Sequence, residues 1–97
     1  MRELRFIWDK NKESTNIQKH KVSFEDAKSV FYDENARVVF DPDHSENEDR
    51  FIIIGLSKRF NILVVSHCYR KNDEIIRIIS ARKATKNEIK EYWRYIK

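Results

Sequence analysis

Three β-branched runs separated by short polar turns constrain this chain most. Phe51-Ile52-Ile53-Ile54-Gly55-Leu56, Ile62-Leu63-Val64-Val65 and Ile75-Ile76-Arg77-Ile78-Ile79 are joined through Ser57-Lys58-Arg59 and Lys71-Asn72-Asp73. A parallel pair needs a crossover of about a dozen residues or more, so connections this short enforce antiparallel hairpins. Ahead of them, Ala36 to Phe40 reads as a strand that stops at Asp41-Pro42, because proline removes a donor from the ladder. Leu4-Arg5-Phe6-Ile7-Trp8 is a short aromatic run also suited to a strand.

Capping signals mark the helices. Asp9 can cap a segment from Lys10 to His20 that lacks both Gly and Pro and ends in Lys19 and His20. Ile17 is its only large apolar residue, so the periodic signal there is weak. Ser23-Phe24-Glu25-Asp26 combines a capping hydroxyl with acids in the first turn, and Phe24, Ala27, Val30 and Phe31 follow at helical spacing, predicting a core-facing helix from Ser23 to Tyr32. Thr85-Lys86-Asn87-Glu88 has the form of a capping box and opens an amphipathic segment through Ile89, Tyr92, Trp93 and Ile96, in which Ile89 and Trp93 are expected to face the core. The predicted class is α+β: a twisted antiparallel sheet with flanking helices in the order β-α-α-β-β-β-β-α, the helices largely on one face.

At 97 residues the chain has room for one core, so residues 1–97 are read as a single domain. No apolar stretch approaches the roughly 18 residues that would cross a bilayer, and no signal-peptide core follows Met1-Arg2-Glu3-Leu4. A cytoplasmic protein without a membrane partner is expected. The lone Cys68 excludes an intramolecular disulfide and a cysteine-based zinc site, and within an apolar strand it reads as a buried thiol. The net charge of +4 is unevenly spread: residues 41–49 carry −5, whereas residues 50–81 and 82–97 carry +4 each. A basic second half behind one acidic loop favours polyanions, and no helix-turn-helix pattern supports direct DNA binding.

Cleaving RNA without a metal requires deprotonation of a 2′-hydroxyl, protonation of the leaving 5′-oxygen and stabilisation of the added charge on phosphorus. His44 lies in the acidic loop next to Asp41, Asp43 and Glu48. Those residues could instead be metal ligands, but their spacing matches neither an EF-hand nor a zinc motif, so no metal or cofactor is expected. His67 and Tyr69 alternate onto one strand face with Leu63 and Val65. His67 could be catalytic with Tyr69, or the two could contact RNA, although a half-buried histidine bonded to a neighbour is the plainer reading. His20 is explained as well by capping or packing as by ligand contact. Arg77 interrupts the isoleucines, where an unpaired guanidinium would be costly to bury. Strict alternation allows Arg77 and Arg82 to fall on opposite faces. The last helix presents Lys83, Lys86, Lys90, Arg94 and Lys97 beside aromatic residues, a basic face that contributes electrostatically.

Phe6-Ile7-Trp8-Asp9, Asn16, Lys19-His20, Val22-Ser23-Phe24-Glu25-Asp26-Ala27, Asp41-Pro42-Asp43-His44-Ser45, Glu48-Asp49-Arg50-Phe51 and Ile76-Arg77-Ile78-Ile79-Ser80-Ala81-Arg82, with Ala84 and Glu88, together resemble the BrnT toxin pattern in order and spacing. The resemblance spans nearly the whole chain. It implies a fold similar to RelE-type ribonuclease toxins and a ribonuclease toxin of a type II toxin–antitoxin system that inhibits translation. It also implies a BrnA-like antitoxin with a ribbon-helix-helix domain, through which alone DNA would be contacted. Carried over by position, His44, Glu48, Arg50, Arg77 and Arg82 are the candidate catalytic residues; Lys83, Lys86, His67 and Tyr69 are expected RNA contacts on their residue types and placement alone. The family often has glycine after His20, where this chain has Lys21, so a left-handed turn is expected there at a cost of about 1 kcal/mol. The rival readings are a non-catalytic binding module for nucleic acid or protein and, behind it, a metal-dependent nuclease.

Overall fold

The computed structural model describes residues 3–96. Their elements run β1 (Arg5–Ile7), α1 (Lys10–His20), α2 (Phe24–Ser29) continued by a 3-10 turn (Val30–Tyr32), β2 (Arg37–Phe40), a 3-10 turn (Pro42–His44), β3 (Phe51–Leu56), β4 (Ile62–Arg70), β5 (Ile75–Lys83) and α3 (Lys86–Arg94). The order matches the expected α+β arrangement, with longer fourth and fifth strands than the apolar runs alone mark. In space the sheet is ordered β1-β5-β4-β3-β2. Strands β2 to β5 are antiparallel neighbours, as their short connections require, while β1 joins the edge parallel to β5. The chain between β1 and β5 includes α1, α2 and the other three strands, far more than the crossover that a parallel pair needs.

One face of the sheet carries the core. Val22, Phe24, Ala27 and Val30 pack on Ile53, Leu63, Val65, Ile78 and Ala81, with Phe6, Trp8, Phe31 and Ala36 closing the margins. The only glycine, Gly55, is needed there for space: a Cβ would come within 2.9 Å of both Ala36 and Val30. Helix α3 instead reaches the other face, so the helices are divided between faces rather than gathered on one. Its Glu88 pairs with Arg82, and its Tyr95 ring lies 3.8 Å from the Arg37 guanidinium. Both arginines alternate onto that face by register. Tyr92 is the buried aromatic of α3, its hydroxyl donating to Asp33, whereas Trp93 is half exposed, contrary to the expected packing. Lys97, part of the expected basic face, lies outside the described residues, as do Met1 and Arg2.

Helix α1 explains its own weak periodicity: its buried residue is Asn16 rather than an apolar side chain. The Asn16 amide donates to the carbonyls of Val22 (2.8 Å) and Ala81 (2.9 Å) and accepts from the Ala81 N–H (3.0 Å). Strand β1 pairs with β5 only from Ile75 to Arg77, so at Ala81 a side-chain amide replaces the missing strand neighbour. Glu13 also accepts from the Phe24 N–H, tying α1 to α2. Lys21 then ends α1 in the left-handed conformation expected of it, at φ 60° and ψ 30°.

A β-bulge decides what the α3 side of the sheet displays. Ser66 pairs with Ser80, but His67 pairs with Ile78, leaving Ile79 as an extra residue in β5. One extra residue reverses the in-out alternation beyond it. Arg77 opposite Cys68 and Arg82 opposite Val64 therefore share a face, although uninterrupted alternation would separate them.

Candidate active site

The acidic segment folds onto itself instead of hanging open. The Asp41 N–H donates to the Arg50 carbonyl (2.9 Å), and the Ser45 hydroxyl bridges the Asp41 carbonyl (2.5 Å) and the Arg50 N–H (2.9 Å). The Asp41 carboxylate receives the Asp43 N–H through one oxygen and meets Nδ1 of His44 at 2.9 Å through the other. Asp41 is largely covered and His44 is 66% exposed, so the carboxylate sets the ring angle while the far nitrogen faces outward. With Nδ1 donating, Nε2 is the free acceptor.

His44 and Asp41 form one wall of a cavity of about 350 Å³, together with Arg50. Its floor is the bulged face of the sheet, including Val64, Ser66 and Ser80, and its other walls bring in His20 and Arg82. Two imidazoles, two guanidiniums and two hydroxyls thus converge on a single hollow. Arg82 is held by a two-point contact to Glu88 at 2.8 and 2.9 Å, and that guanidinium holds the Glu88 carboxyl well down, at about 2. Glu88 is also the return partner of the Thr85 capping box, so the start of α3 and the position of Arg82 are set by one carboxylate. The Arg50 guanidinium forms no ion pair among the described residues and borders both this cavity and a neighbouring hollow shared with His44 and Glu48.

Other expected site residues are placed elsewhere. Glu48 lies outside the cavity and is bound to Arg70 at 2.6 Å; that hydrogen bond holds its carboxyl below the usual range, which makes it a poor proton donor near neutrality. Arg77 shares the face with Arg82 but lies beyond the cavity lining, across from Cys68. Cys68 is buried, as expected, and burial first of all pushes its thiol up. Lys83 and Lys86 are exposed outside the cavity. His67 must be withdrawn as an RNA contact. It is fully buried on the α1–α2 side among Phe31, Phe51 and Tyr69, with its nitrogens near the Val65 carbonyl and the Tyr69 hydroxyl. Tyr69, only partly buried beside it, borders a different hollow with Glu48, Asp49 and Asp73.

Sequence reasoning undervalued His20 and did not select Asp41, Ser66 or Ser80 as site residues. A usable signal for Asp41 was its position three residues before His44 in a turn-forming Asp-Pro sequence. His20 carried no comparable signal, because its approach to the loop depends on where Asn16 anchors α1. Among the described residues, no helix is long and apolar enough to cross a membrane.

A family model described as the ribonuclease toxin BrnT of type II toxin–antitoxin systems matches residues 8–88. The chain belongs to the BrnT family. The match includes both histidines, both arginines and the bulge of the cavity described above. The fold is also similar to the crystal structure of the Brucella abortus ribonuclease toxin BrnT, with a TM-score of 0.65 and 28% identity over 87% of this chain and 100% of that one. No curated protein sequence matches. Membership makes the chain a ribonuclease toxin, an enzyme with RNA as substrate and an antitoxin as counterpart.

Proposed function

We propose that this BrnT-family toxin, acting as a single domain, cleaves RNA by metal-independent acid–base catalysis in the His20–His44 cavity. The convergence of His44, His20, Arg50 and Arg82 on one cavity carries the reading. Nε2 of His44, its ring set by Asp41, takes the 2′-hydroxyl proton; the 2′-oxygen attacks phosphorus; and His20 protonates the departing 5′-oxygen. The products are a 2′,3′-cyclic phosphate and a 5′-hydroxyl. Arg50 stabilises the added charge through paired N–H donors, and Arg82, whose end-on pair is taken by Glu88, through its remaining N–H groups. Arg77, Lys83 and Lys86 add to the surrounding positive field.

In this reading Glu48 supports the loop through Arg70 rather than moving protons. The consequence in the cytoplasm is inhibition of translation, relieved by a ribbon-helix-helix antitoxin that also provides the only contact with DNA. These features rest on family membership.

Incubation of purified protein with RNA in EDTA tests the chemistry, with end-group analysis of the products. Cyclic phosphate ends, and loss of cutting at a 2′-deoxy position, are expected. Intact RNA, or cleavage that persists at a 2′-deoxy position, would overturn the scheme. A substrate whose leaving group needs no protonation, such as a nitrophenyl 3′-phosphodiester, separates the histidines: it should restore cleavage by His20→Ala and not by His44→Ala.

A further inference from the structure

We propose that the groove between α1 and the β5 bulge is a second binding subsite, taking the single-stranded RNA that extends beyond the cleaved phosphate. The inference rests on the ribonuclease reading above and adds the path of the substrate. The groove, about 360 Å³, shares His20, Ile79 and Ser80 with the catalytic cavity, so the two hollows are continuous.

Lys12, Thr15, Asn16 and Lys19 fall on one stripe of α1, at spacings of three, four and seven, and all four line the groove. Asn16 faces the strand edge through its amide, which leaves the two lysines and Thr15 to meet a ligand. Neither lysine forms an ion pair with a carboxylate among the described residues. Asp9, at the groove's end, accepts the N–H groups of Asn11 and Lys12, and those bonds commit its charge to capping α1. Opposite the lysines, Ile79 has no partner position on β4, and β1 stops short of it. The bulge therefore presents an apolar side chain at a place where neither neighbouring strand covers β5.

Two cations spaced two turns apart, with an apolar side chain and the Ser80 hydroxyl lining the same groove, suit successive phosphates of a single strand and a base lying against the groove wall. The linking residue, His20, is the group assigned to protonate the leaving oxygen. RNA leaving the catalytic cavity past His20 enters this groove directly.

The test uses 2′-O-methyl oligonucleotides, which cannot be cut through a 2′-hydroxyl, in fluorescence anisotropy titrations against the whole protein. Lys12→Ala/Lys19→Ala should weaken an octamer about tenfold, while a trinucleotide, too short to fill both hollows, changes less than about twofold. The slope of log affinity against log salt should fall by about 1.4 for two lost phosphate contacts on a single strand. Lys12→Arg/Lys19→Arg should restore octamer binding, and thermal melts control for folding.

Unchanged octamer affinity, or equal weakening of octamer and trinucleotide, overturns the proposal. So does unchanged octamer binding with weaker antitoxin binding, which would assign the groove to the protein partner. The two readings fail separately. Loss of the octamer effect with cyclic-phosphate cleavage intact removes only the subsite; uncut natural RNA with the octamer effect intact removes only the catalytic scheme.

Discussion

The sheet separates two histidines that are chemically alike and physically opposite. His44 stands 66% exposed in a polar cavity, with a covered carboxylate on one nitrogen and the other nitrogen open. His67, on the far side, is sealed among Phe31, Phe51 and Tyr69, and burial lowers its pKa so that the neutral ring is held. An imidazole can exchange protons with a substrate only where the charged form is solvated or paired. The same residue type thus serves chemistry on one side of the sheet and packing on the other.

The sharpest way to break this comparison is to exchange the expected losses. His44→Ala should reduce RNA cleavage by about 10²–10⁴-fold, the usual contribution of a positioned acid or base, with little change in urea denaturation. His67→Ala should do the reverse, costing roughly 3 kcal/mol of stability by leaving a cavity and an unpaired tyrosine hydroxyl, as read from urea midpoints. A His44→Ala variant that unfolds easily, or a stable His67→Ala variant without activity, would contradict the division.

Gly55 sharpens the packed side. Its α1–α2 face has no room for a methyl group, so Gly55→Ala should destabilise by about 1–3 kcal/mol through overpacking, again without a matching loss of kcat in the folded fraction. The pH dependence follows from the depressed pKa of His67. Above the unfolded-state value of about 6.5 both states are neutral and its contribution to stability is complete. Below that pH only the unfolded chain takes up the proton, so stability falls as pH falls until the folded pKa is reached. The slope can approach about 1.4 kcal/mol per pH unit. Denaturation midpoints from pH 8 to pH 5 should show this decline, and His67→Gln should flatten it. The smallest effect is expected beside the cavity: Lys21→Gly relieves a left-handed backbone and should stabilise by about 0.5–1 kcal/mol, shifting the thermal midpoint upward with activity within a few-fold.

The packed side was the more legible in sequence. Apolar alternation through β3 to β5 and the helix-capping residues are local signals, and they located the strands, the helices and the face shared by Leu63, Val65, His67 and Tyr69. The open side depends on relations at long range. That Arg77 and Arg82 lie on one face follows from an extra residue in β5, invisible until the partner register with β4 is known. That His20 reaches the cavity depends on the Asn16 amide bonding to Ala81, 65 positions away. Trp93 was misread because both it and Tyr92 fit a helical stripe, and the choice was made by the Asp33 carboxylate that takes the Tyr92 hydroxyl. Position in the family pattern made Glu48 a site candidate, whereas Arg70 holds its carboxylate outside the cavity.

The bulge at Ile79 also makes β5 tolerant of losing one residue at that point. Deleting the single codon for Ile79 would bring Arg77 and Arg82 to a spacing of four, which an uninterrupted strand keeps on one face, so both guanidiniums would stay where the bulge now puts them. An in-frame deletion, ordinarily disruptive inside a strand, would here spare the charged face and remove only the apolar side chain that the two hollows share.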